Sequence, residues 1–296
     1  MTTKKIVIAG GTGFIGNYLS DKFQKQGYQV LIISRKTGSI PWTDTQAIMQ
    51  ALNNAEMLIN LAGKSVNCRY TEKNKEEIFK SRTQTTQTLG EAILACQNPP
   101  PLWFNSSTAT IYRHSEDKAM TEENGEIGSG FSIDVATAWE RAFFDFNLSA
   151  TRQIALRIAI VLGKEGGALM PLENLVRFGL GGKQGKGNQM FSWIHIEDLY
   201  QIILFLAENK DLKGVFNCAS PHPIDNQTLM KMLRKSMKVP FGLPSPTWLL
   251  TMGAVLIGTE TELVLKSRWV LPERLLKSGF TFRFSDLTST LEDFYG

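Results

Sequence analysis

The sequence predicts an α/β fold, a doubly wound parallel sheet with a smaller C-terminal lobe that contributes to the substrate site. Two observations support this prediction. In the first half of the chain, apolar and β-branched runs of strand length alternate with stretches of helical spacing. The first of these strands is followed at once by a glycine-rich turn and a helix. This order is typical of parallel sheets whose two faces are covered by helices.

The glycine-rich turn follows residues 5–9, an apolar run that predicts the first strand. Gly10 is expected to turn the chain with an unusual φ, and Gly16 to let the next helix pack closely on the strand. Gly13 leaves room for a diphosphate, which the backbone N–H groups at the helix N-terminus can bind. The turn therefore predicts a Rossmann-type dinucleotide site. Its expected cofactor-binding residues are Gly10, Thr12, Gly13, Phe14, Ile15 and Gly16.

The second predicted strand, residues 29–33, ends in Ser34, Arg35 and Lys36. NAD sites usually place an acidic residue here to bind the ribose 2′-hydroxyl, whereas a 2′-phosphate calls for arginine. Arginine can bind a phosphate through two parallel charge-assisted hydrogen bonds. The alternative is a solvated basic loop. We predict NADP rather than NAD, with Ser34 and Arg35 among the cofactor-binding residues.

Further elements continue the alternation as far as residue 163. The predicted strands are residues 57–63, 102–108 and 153–163, and the predicted helices are approximately residues 45–52, 72–96 and 133–147. Arg157 lies at the centre of the last strand and needs a partner if it is buried.

Beyond residue 163, glycine-rich stretches replace the alternation, residues 280–284 alternate like a half-exposed strand, and residues 286–294 have helical spacing. We therefore expect a nucleotide-binding domain over residues 1–165, to which residues 191–220 return. Residues 166–190 and 221–296 are expected to form the smaller C-terminal lobe.

The composition is that of an ordinary globular protein, with 43% hydrophobic and 20% charged residues. The net charge of +4 is spread without a basic block, which argues against a nucleic-acid partner. Three separated cysteines and three histidines argue against a metal site. The first strand begins near residue 5, so we expect no signal peptide, and the most apolar segment, residues 248–257, is too short to span a bilayer. We expect a cytoplasmic protein with a small-molecule substrate and no membrane partner. The oligomeric state is left open.

Several motifs of the chain occur together in one known superfamily. They are the glycine pattern at 10, 13 and 16, the segment 60–63, the strand 156–163, and the segment 193–199 with its aromatic-x-His-x-x-Asp pattern. Together they resemble the extended and atypical branches of the short-chain dehydrogenases/reductases. The segments 77–82, 138–140, 179–182, 191–195 and 268–275 further resemble the epimerase family proteins, a sugar-nucleotide-epimerase-like, NADP-binding group with a small C-terminal domain.

The resemblance implies further site residues. Leu61, Ala62 and Gly63 would pass the adenine side of the cofactor. Glu77 and Arg82 would hold ribose and phosphate, the alternative being an exposed pair on a long helix. Ser106 would bind the cofactor, and Thr108 would occupy the catalytic hydroxyl position at the end of the fourth strand. The superfamily also uses a Tyr-x-x-x-Lys pair, in which the lysine lowers the tyrosine pKa for proton transfer.

That pair is missing here. In the extended members that this chain resembles, a glutamate follows the lysine by four residues. If Glu140 is that glutamate, Ser132 stands at the tyrosine position and Ala136 at the lysine position. Tyr112 and His195 are candidate substitutes, each with a structural role as the simpler interpretation. Two functions follow: an NADP-dependent oxidoreductase or epimerase acting on a small polar, sugar-like substrate, or an NADP(H)-binding sensor without catalysis.

Overall fold

The computed structural model describes residues 4–250 and 265–296. Its strands are β1 (Lys5–Ala9), β2 (Gln29–Ile33), β3 (Met57–Asn60), β4 (Leu102–Thr108), β5 (Arg152–Ile158), β6 (Ile160–Gly163), β7 (Gly166–Gly167), β8 (Met190–Phe191), β9 (Trp193–His195), β10 (Gly214–Cys218) and β11 (Ile224–Asp225). Its helices are α1 (Phe14–Lys25), α2 (Thr45–Leu52), α3 (Glu72–Ala95), α4 (Phe131–Phe144), α5 (Leu169–Arg177), α6 (Ile196–Glu208), α7 (Asn226–Ser236), α8 (Glu273–Lys277) and α9 (Leu287–Tyr295). A 3₁₀ turn, Ala109–Ile111, follows β4.

The central sheet has six strands in the order β10-β5-β4-β3-β1-β2, all paired in parallel. The chain passes from β1 outward to β2 and then returns to place β3 on the other side of β1. This reversal opens a crevice at the carboxyl ends of β1 and β3, where ligands of doubly wound sheets bind. The predicted α/β fold with a Rossmann-type sheet is confirmed.

Alternate residues of the strands face opposite helical layers. Ile6 and Ile8 pack in one core with Leu19 of α1 and Leu199 of α6. The intervening Val7 and Ala9 belong to a second core on the other face, with Leu52 of α2, Leu89 of α3 and Phe143 of α4. The near-continuous apolar sequence of β1 thus reflects a strand that is buried on both faces.

The prediction of one strand over residues 153–163 is wrong. The chain bends at Ala159, whose N–H donates to Cys218 of β10 at 3.0 Å. β5 remains in the central sheet, whereas β6 pairs in parallel with β9 and antiparallel with β7. The apolar run is continuous in sequence, but the second partner strand, Trp193–His195, is remote in the chain.

The prediction of a strand over residues 280–284 is also wrong. The buried Asp198 carboxylate accepts hydrogen bonds from the N–H groups of Arg283 and Phe284, both at 2.9 Å. The side chain of α6 therefore satisfies backbone donors that a neighbouring strand would otherwise pair. The final helix is α9, and the Asp286 side chain caps it.

The C-terminal half packs around an apolar cluster that includes Leu162 of β6, Trp193 of β9, Leu229 of α7 and Leu291 of α9. β10 lies beside β5 at the edge of the central sheet, so this part of the 191–220 segment adds to the first domain's sheet. Across residues 4–250 and 265–296 we find no helix with the length and apolarity needed to cross a membrane. The same residues bring together no cluster of three His, Cys, Asp or Glu side chains suited to a metal ion.

Candidate dinucleotide and substrate site

The turn between β1 and α1 depends on two close backbone approaches. Gly10 has φ +75°, and a Cβ there would lie 2.7 Å from the Ala62 nitrogen, after β3. A Cβ on Gly16 would lie 2.5 Å from the Gly11 Cα. The expectation that Gly16 packs against the strand is therefore corrected, because its close contact is with the turn that follows β1. Both glycines are required for the shape of the turn.

Gly13 differs from these two glycines because the space beside it is open. A Cβ there would have the Gly10 oxygen as its nearest neighbour, at 3.7 Å. Gly13 is the N-cap of α1, with no side-chain cap and no acidic residue in the first turn. Among the described residues, no protein group accepts a hydrogen bond from the N–H groups of Phe14, Ile15 or Gly16. Unpaired amides beside an uncrowded glycine fit a diphosphate.

Phe14 and the other turn residues tie this site to the rest of the fold. The Phe14 ring lies against Gly163 and Gly166, so a Cβ on either glycine would approach it to 2.8 Å. Ile15 packs at the edge of the first core, as does Leu61. The Leu61 N–H donates to Ala9 at 2.8 Å, which keeps the segment after β3 beside the glycine turn. Thr12 is partly buried in the turn.

The loop after β2 presents a cation at the same edge of the sheet. The buried Ser34 hydroxyl accepts from the Lys36 N–H at 2.9 Å and lies 3.0 Å from the Ser39 hydroxyl. Ser34 thus holds the loop on which the exposed Arg35 stands. The Lys64 ammonium bonds to the Glu77 carboxylate and lowers its pKa, and Arg35 adds a smaller effect in the same direction. Arg35 is thus near enough to Glu77 to act on its carboxylate electrostatically.

Arg82 reaches the end of β3 from α3. It donates hydrogen bonds to the carbonyls of Lys64 and Ile78, both at 3.1 Å. A Cβ on Gly63 would lie 3.1 Å from its guanidinium carbon, which is also 5.1 Å from the centroid of the Trp139 ring. Removal from water lowers the pKa of Arg82 to about 10. The two residues of α3 that were predicted to contact the cofactor thus differ in their partners. The Glu77 carboxylate is paired with the Lys64 ammonium, whereas the Arg82 guanidinium bonds to backbone carbonyls.

Three hydroxyl residues end β4, and each has a different environment. The Ser107 hydroxyl donates to Glu140 at 2.5 Å, within the protein core. The Thr108 hydroxyl accepts from the Thr110 N–H at 3.1 Å and caps the 3₁₀ turn, while its side chain remains partly exposed. Ser106 is buried directly before them. Thr108 is therefore the strand-end hydroxyl that faces the crevice edge.

Tyr112 and His195 have structural roles. The Tyr112 hydroxyl donates to Asn217 at 2.9 Å and accepts from Arg157 at 2.8 Å. The His195 Nδ1 accepts from the Glu197 N–H and caps α6. Its ring stacks on Phe284, and burial lowers the pKa of His195 to about 4. Arg157 is buried and has the partner that the sequence analysis required: it donates two hydrogen bonds to Glu140, at 2.7 and 2.8 Å.

The positions of the missing pair lie at the start of α4. Ala136 is buried in a cluster with Ala109 and Ile111, which follow β4. Ser132 is partly buried, and its hydroxyl lies 3.5 Å from the Tyr70 hydroxyl. Sequence reasoning did not identify Tyr70, because it stands in the irregular segment between β3 and α3, where no periodicity indicates an orientation.

This edge of the sheet defines a nicotinamide-dinucleotide-binding protein of the short-chain dehydrogenase/reductase type. The chain belongs to the NAD dependent epimerase/dehydratase family, whose model matches residues 6–219. A second model, a domain of unknown function (DUF1731), matches residues 245–294. The predicted superfamily, with its nicotinamide cofactor and additional small C-terminal domain, is confirmed.

Known relatives match over nearly the whole chain. An epimerase family protein of Staphylococcus aureus (strain MRSA252) is 33% identical, covering 98% of both chains. The epimerase family protein YfhF of Bacillus subtilis (strain 168) is 32% identical, covering 97% of this chain and 96% of the relative.

Two solved structures extend the comparison. The human epimerase family protein SDR39U1 (isoform 2), crystallised with NADPH, has a TM-score of 0.90 and 30% identity, with 98% of this chain and 99% of that chain covered. The nucleoside-diphosphate sugar epimerase of Corynebacterium glutamicum has a TM-score of 0.79 and 27% identity, and the match covers 100% of this chain and 59% of that one.

Proposed function

We propose that the protein is an NADP-dependent oxidoreductase or epimerase that acts on a small polar, sugar-like substrate. The observation that carries the proposal is a convergence at one sheet edge. The unpaired amides of α1, the cation Arg35 and the strand-end hydroxyl of Thr108 all lie at the carboxyl ends of parallel strands. Sites in doubly wound sheets form there.

In this proposal Gly13, Phe14 and Ile15 hold the diphosphate through the backbone, and Arg35 binds the 2′-phosphate. Leu61, Ala62 and Gly63 line the adenine side. When bound, the nicotinamide supplies or accepts a hydride. Thr108 orients the substrate oxygen beside it by a hydrogen bond. The NADPH in the SDR39U1 structure supports this cofactor, and the activity in the name of the Corynebacterium protein supports a sugar nucleotide as substrate.

A substitution at Arg35 tests the cofactor. Arg35→Ala should weaken NADPH binding by about 1.5–3 kcal/mol, the range for hydrogen bonds to charged groups, and should leave NADH binding nearly unchanged. Lys36→Ala, on the same loop, is the matched control. Calorimetric titration of both cofactors measures the effect. An equal loss for NADPH and NADH would show that Arg35 does not contact the 2′-phosphate.

The reaction is tested with NADPH-loaded protein and a panel of sugar nucleotides and small carbonyl compounds. Loss of absorbance at the reduced-nicotinamide band reports reduction, and NMR of the sugar reports epimerisation. The second candidate, a non-catalytic NADP(H)-binding sensor, is favoured by one observation, that Ser132 and Ala136 replace the usual pair. Tight NADPH binding with no turnover across the panel would support the sensor.

A further inference from the structure

Tyr70 lies over the start of α4 although it belongs to the segment that leads into α3. Its hydroxyl is 3.5 Å from the Ser132 hydroxyl, and its ring packs edge-on against Phe131, with centroids 5.0 Å apart. The next residues of α4 pack against Ala109 and Ile111, directly after Thr108. The Tyr70 phenol is therefore held near the carboxyl end of β4, where the proposed substrate oxygen would lie.

Arg82 brings a positive charge from α3 to the same helix α4, where its guanidinium carbon lies 5.1 Å from the centroid of the Trp139 ring. It also donates hydrogen bonds to the backbone carbonyls of Lys64 and Ile78. Within residues 4–250 and 265–296, no carboxylate lies within ion-pair distance of its guanidinium. Burial lowers the pKa of Arg82, and the negative charge of an ionised Tyr70 acts in the opposite direction. A partly buried cation without a counterion favours an anion beside it.

We propose that Tyr70 is the catalytic proton donor of this protein and that Arg82 stabilises the resulting phenolate as a positioning residue. The inference rests on the proposed function. As the carbonyl carbon of the substrate receives the hydride from NADPH, its π-electron pair moves to the oxygen. That oxygen takes the Tyr70 proton, which leaves an alcohol, NADP⁺ and a phenolate beside Arg82. Water then reprotonates Tyr70, and in the reverse direction the phenolate accepts the proton.

Other groups near this edge are less suited to proton transfer. The Ser132 hydroxyl is a much weaker acid than a phenol, and its place beside Tyr70 suits it to orient that side chain. Tyr112 is buried and bonded to Asn217 and Arg157. His195 is enclosed between Phe284 and Phe294. Tyr70 combines an acidic hydroxyl with partial exposure, and it interacts electrostatically with the Arg82 cation.

The test is a titration of Tyr70 that needs no substrate. Protein labelled with ¹³C at tyrosine Cζ is titrated by NMR, free and with saturating NADP⁺, and Tyr70→Phe assigns the Tyr70 signal. We expect Tyr70 to ionise below pH 10. Arg82→Gln should raise its pKa by about one unit or more, the effect of removing one close opposite charge. Arg82→Lys, which keeps the charge, should restore part of the shift, and Arg141→Gln on the exposed side of α4 should leave it unchanged.

Two results of the titration would overturn the inference: a Tyr70 pKa of 10 or above in the wild type, or an unchanged Tyr70 pKa in a folded Arg82→Gln variant. NADPH titration of the same samples separates this failure from failure of the proposed function, because Tyr70→Phe should retain wild-type affinity. With a carbonyl substrate from the panel, Tyr70→Phe should lower kcat by about 10²–10⁴-fold, the usual contribution of a general acid, with KM little changed. A kcat within threefold of wild type would equally refute the assignment.

Discussion

The two ends of the crevice are built from different parts of the polypeptide. At the β1–β3 end, which we call the cofactor end, the groups proposed to bind the ligand are backbone amides of Phe14 and Ile15, in a turn shaped by glycines. At the β4 end, which we call the reacting end, the proposed groups are side chains of three separate segments: Thr108, Tyr70 and Arg82. The first end is local in sequence and the second is assembled only by the packing of α3 and α4.

This difference explains why a short motif identifies the cofactor end and not the reacting end. A backbone amide is present whatever the side chain, so glycines at a fixed spacing are enough to specify the turn. A side chain can be replaced by another of similar reach from a neighbouring helix. Ser132 and Ala136 leave α4 without an acid–base pair, whereas the Tyr70 phenol lies beside Ser132 and the Arg82 cation lies over Trp139 of the same helix.

The largest expected effect is on the ion pair behind the reacting end. Glu140→Ala would leave the Arg157 guanidinium, 2.7 Å from the lost carboxylate, buried and uncompensated. Breaking a buried pair in this way should lower the free energy of unfolding by about 3–5 kcal/mol. Chemical denaturation measures it, and the Glu140→Met, Arg157→Met double variant, which removes both charges, should be less destabilised. A loss below about 1 kcal/mol would mean that the β4 end does not depend on this pair.

At the cofactor end, two glycine substitutions should separate binding from stability. Gly13→Val fills open space, so NADPH affinity should fall at least about a hundredfold, or about 2.7 kcal/mol, while the free energy of unfolding changes by less than about 1 kcal/mol. Gly16→Val should destabilise the protein, because its Cβ would approach Gly11 to 2.5 Å. Calorimetric titration and denaturation of both variants decide this. NADPH binding retained in Gly13→Val would refute the diphosphate assignment.

Acid should weaken the support beneath the cofactor end. His195 caps α6, and Glu197 of that helix pairs with Lys22 of α1 at 2.6 Å. Burial lowers the pKa of folded His195 to about 4 from its usual 6.5, so the unfolded chain binds the proton more readily. Stability should be fully present above pH 6.5 and should fall as the pH drops towards 4, by up to about 3 kcal/mol.

Urea unfolding at pH 7, 5.5 and 4 measures this loss, with His195→Gln as the variant that lacks the titrating ring. His222→Gln, at an exposed histidine, is the matched control. If the unfolding free energies of the wild type and His195→Gln fell equally with pH over this range, the pH dependence would not come from His195.

The smallest effect on stability is expected at Thr108. Thr108→Val removes the hydroxyl that caps the 3₁₀ turn, which should cost about 1 kcal/mol of unfolding free energy. NADPH affinity should hardly change, because the proposed cofactor contacts lie at the other end of the crevice. Turnover of any substrate found in the panel should fall by about ten- to a hundredfold, the loss of one transition-state hydrogen bond. Thr108→Ser should retain most of the stability and most of the turnover. Unchanged turnover in Thr108→Val would mean that the substrate oxygen does not bind at Thr108.

Much of the fold was predictable from local patterns. The bounds of β2, α2 and β4 agree with the prediction, because each is an apolar-periodic run closed by polar or turn-forming residues. The break at Ala159 was not predictable, since it depends on β9, more than thirty residues later in the chain. Residues 280–284 alternate like a strand, but the N–H groups of Arg283 and Phe284 donate to the Asp198 carboxylate of α6 instead of to a neighbouring strand.

The sequence by itself determined the turn of the proposed cofactor end, because strand, glycine turn and helix are consecutive and the groups that this turn offers are backbone amides. It also determined that the usual pair is absent from Ser132 and Ala136, since residue identity needs no coordinates. Only the tertiary structure placed Tyr70 beside Ser132 and left Arg82 without a carboxylate among the described residues. The physical reason is that a side chain's charge state and reach depend on its neighbours in space, and those neighbours come from helices and loops far apart in the chain.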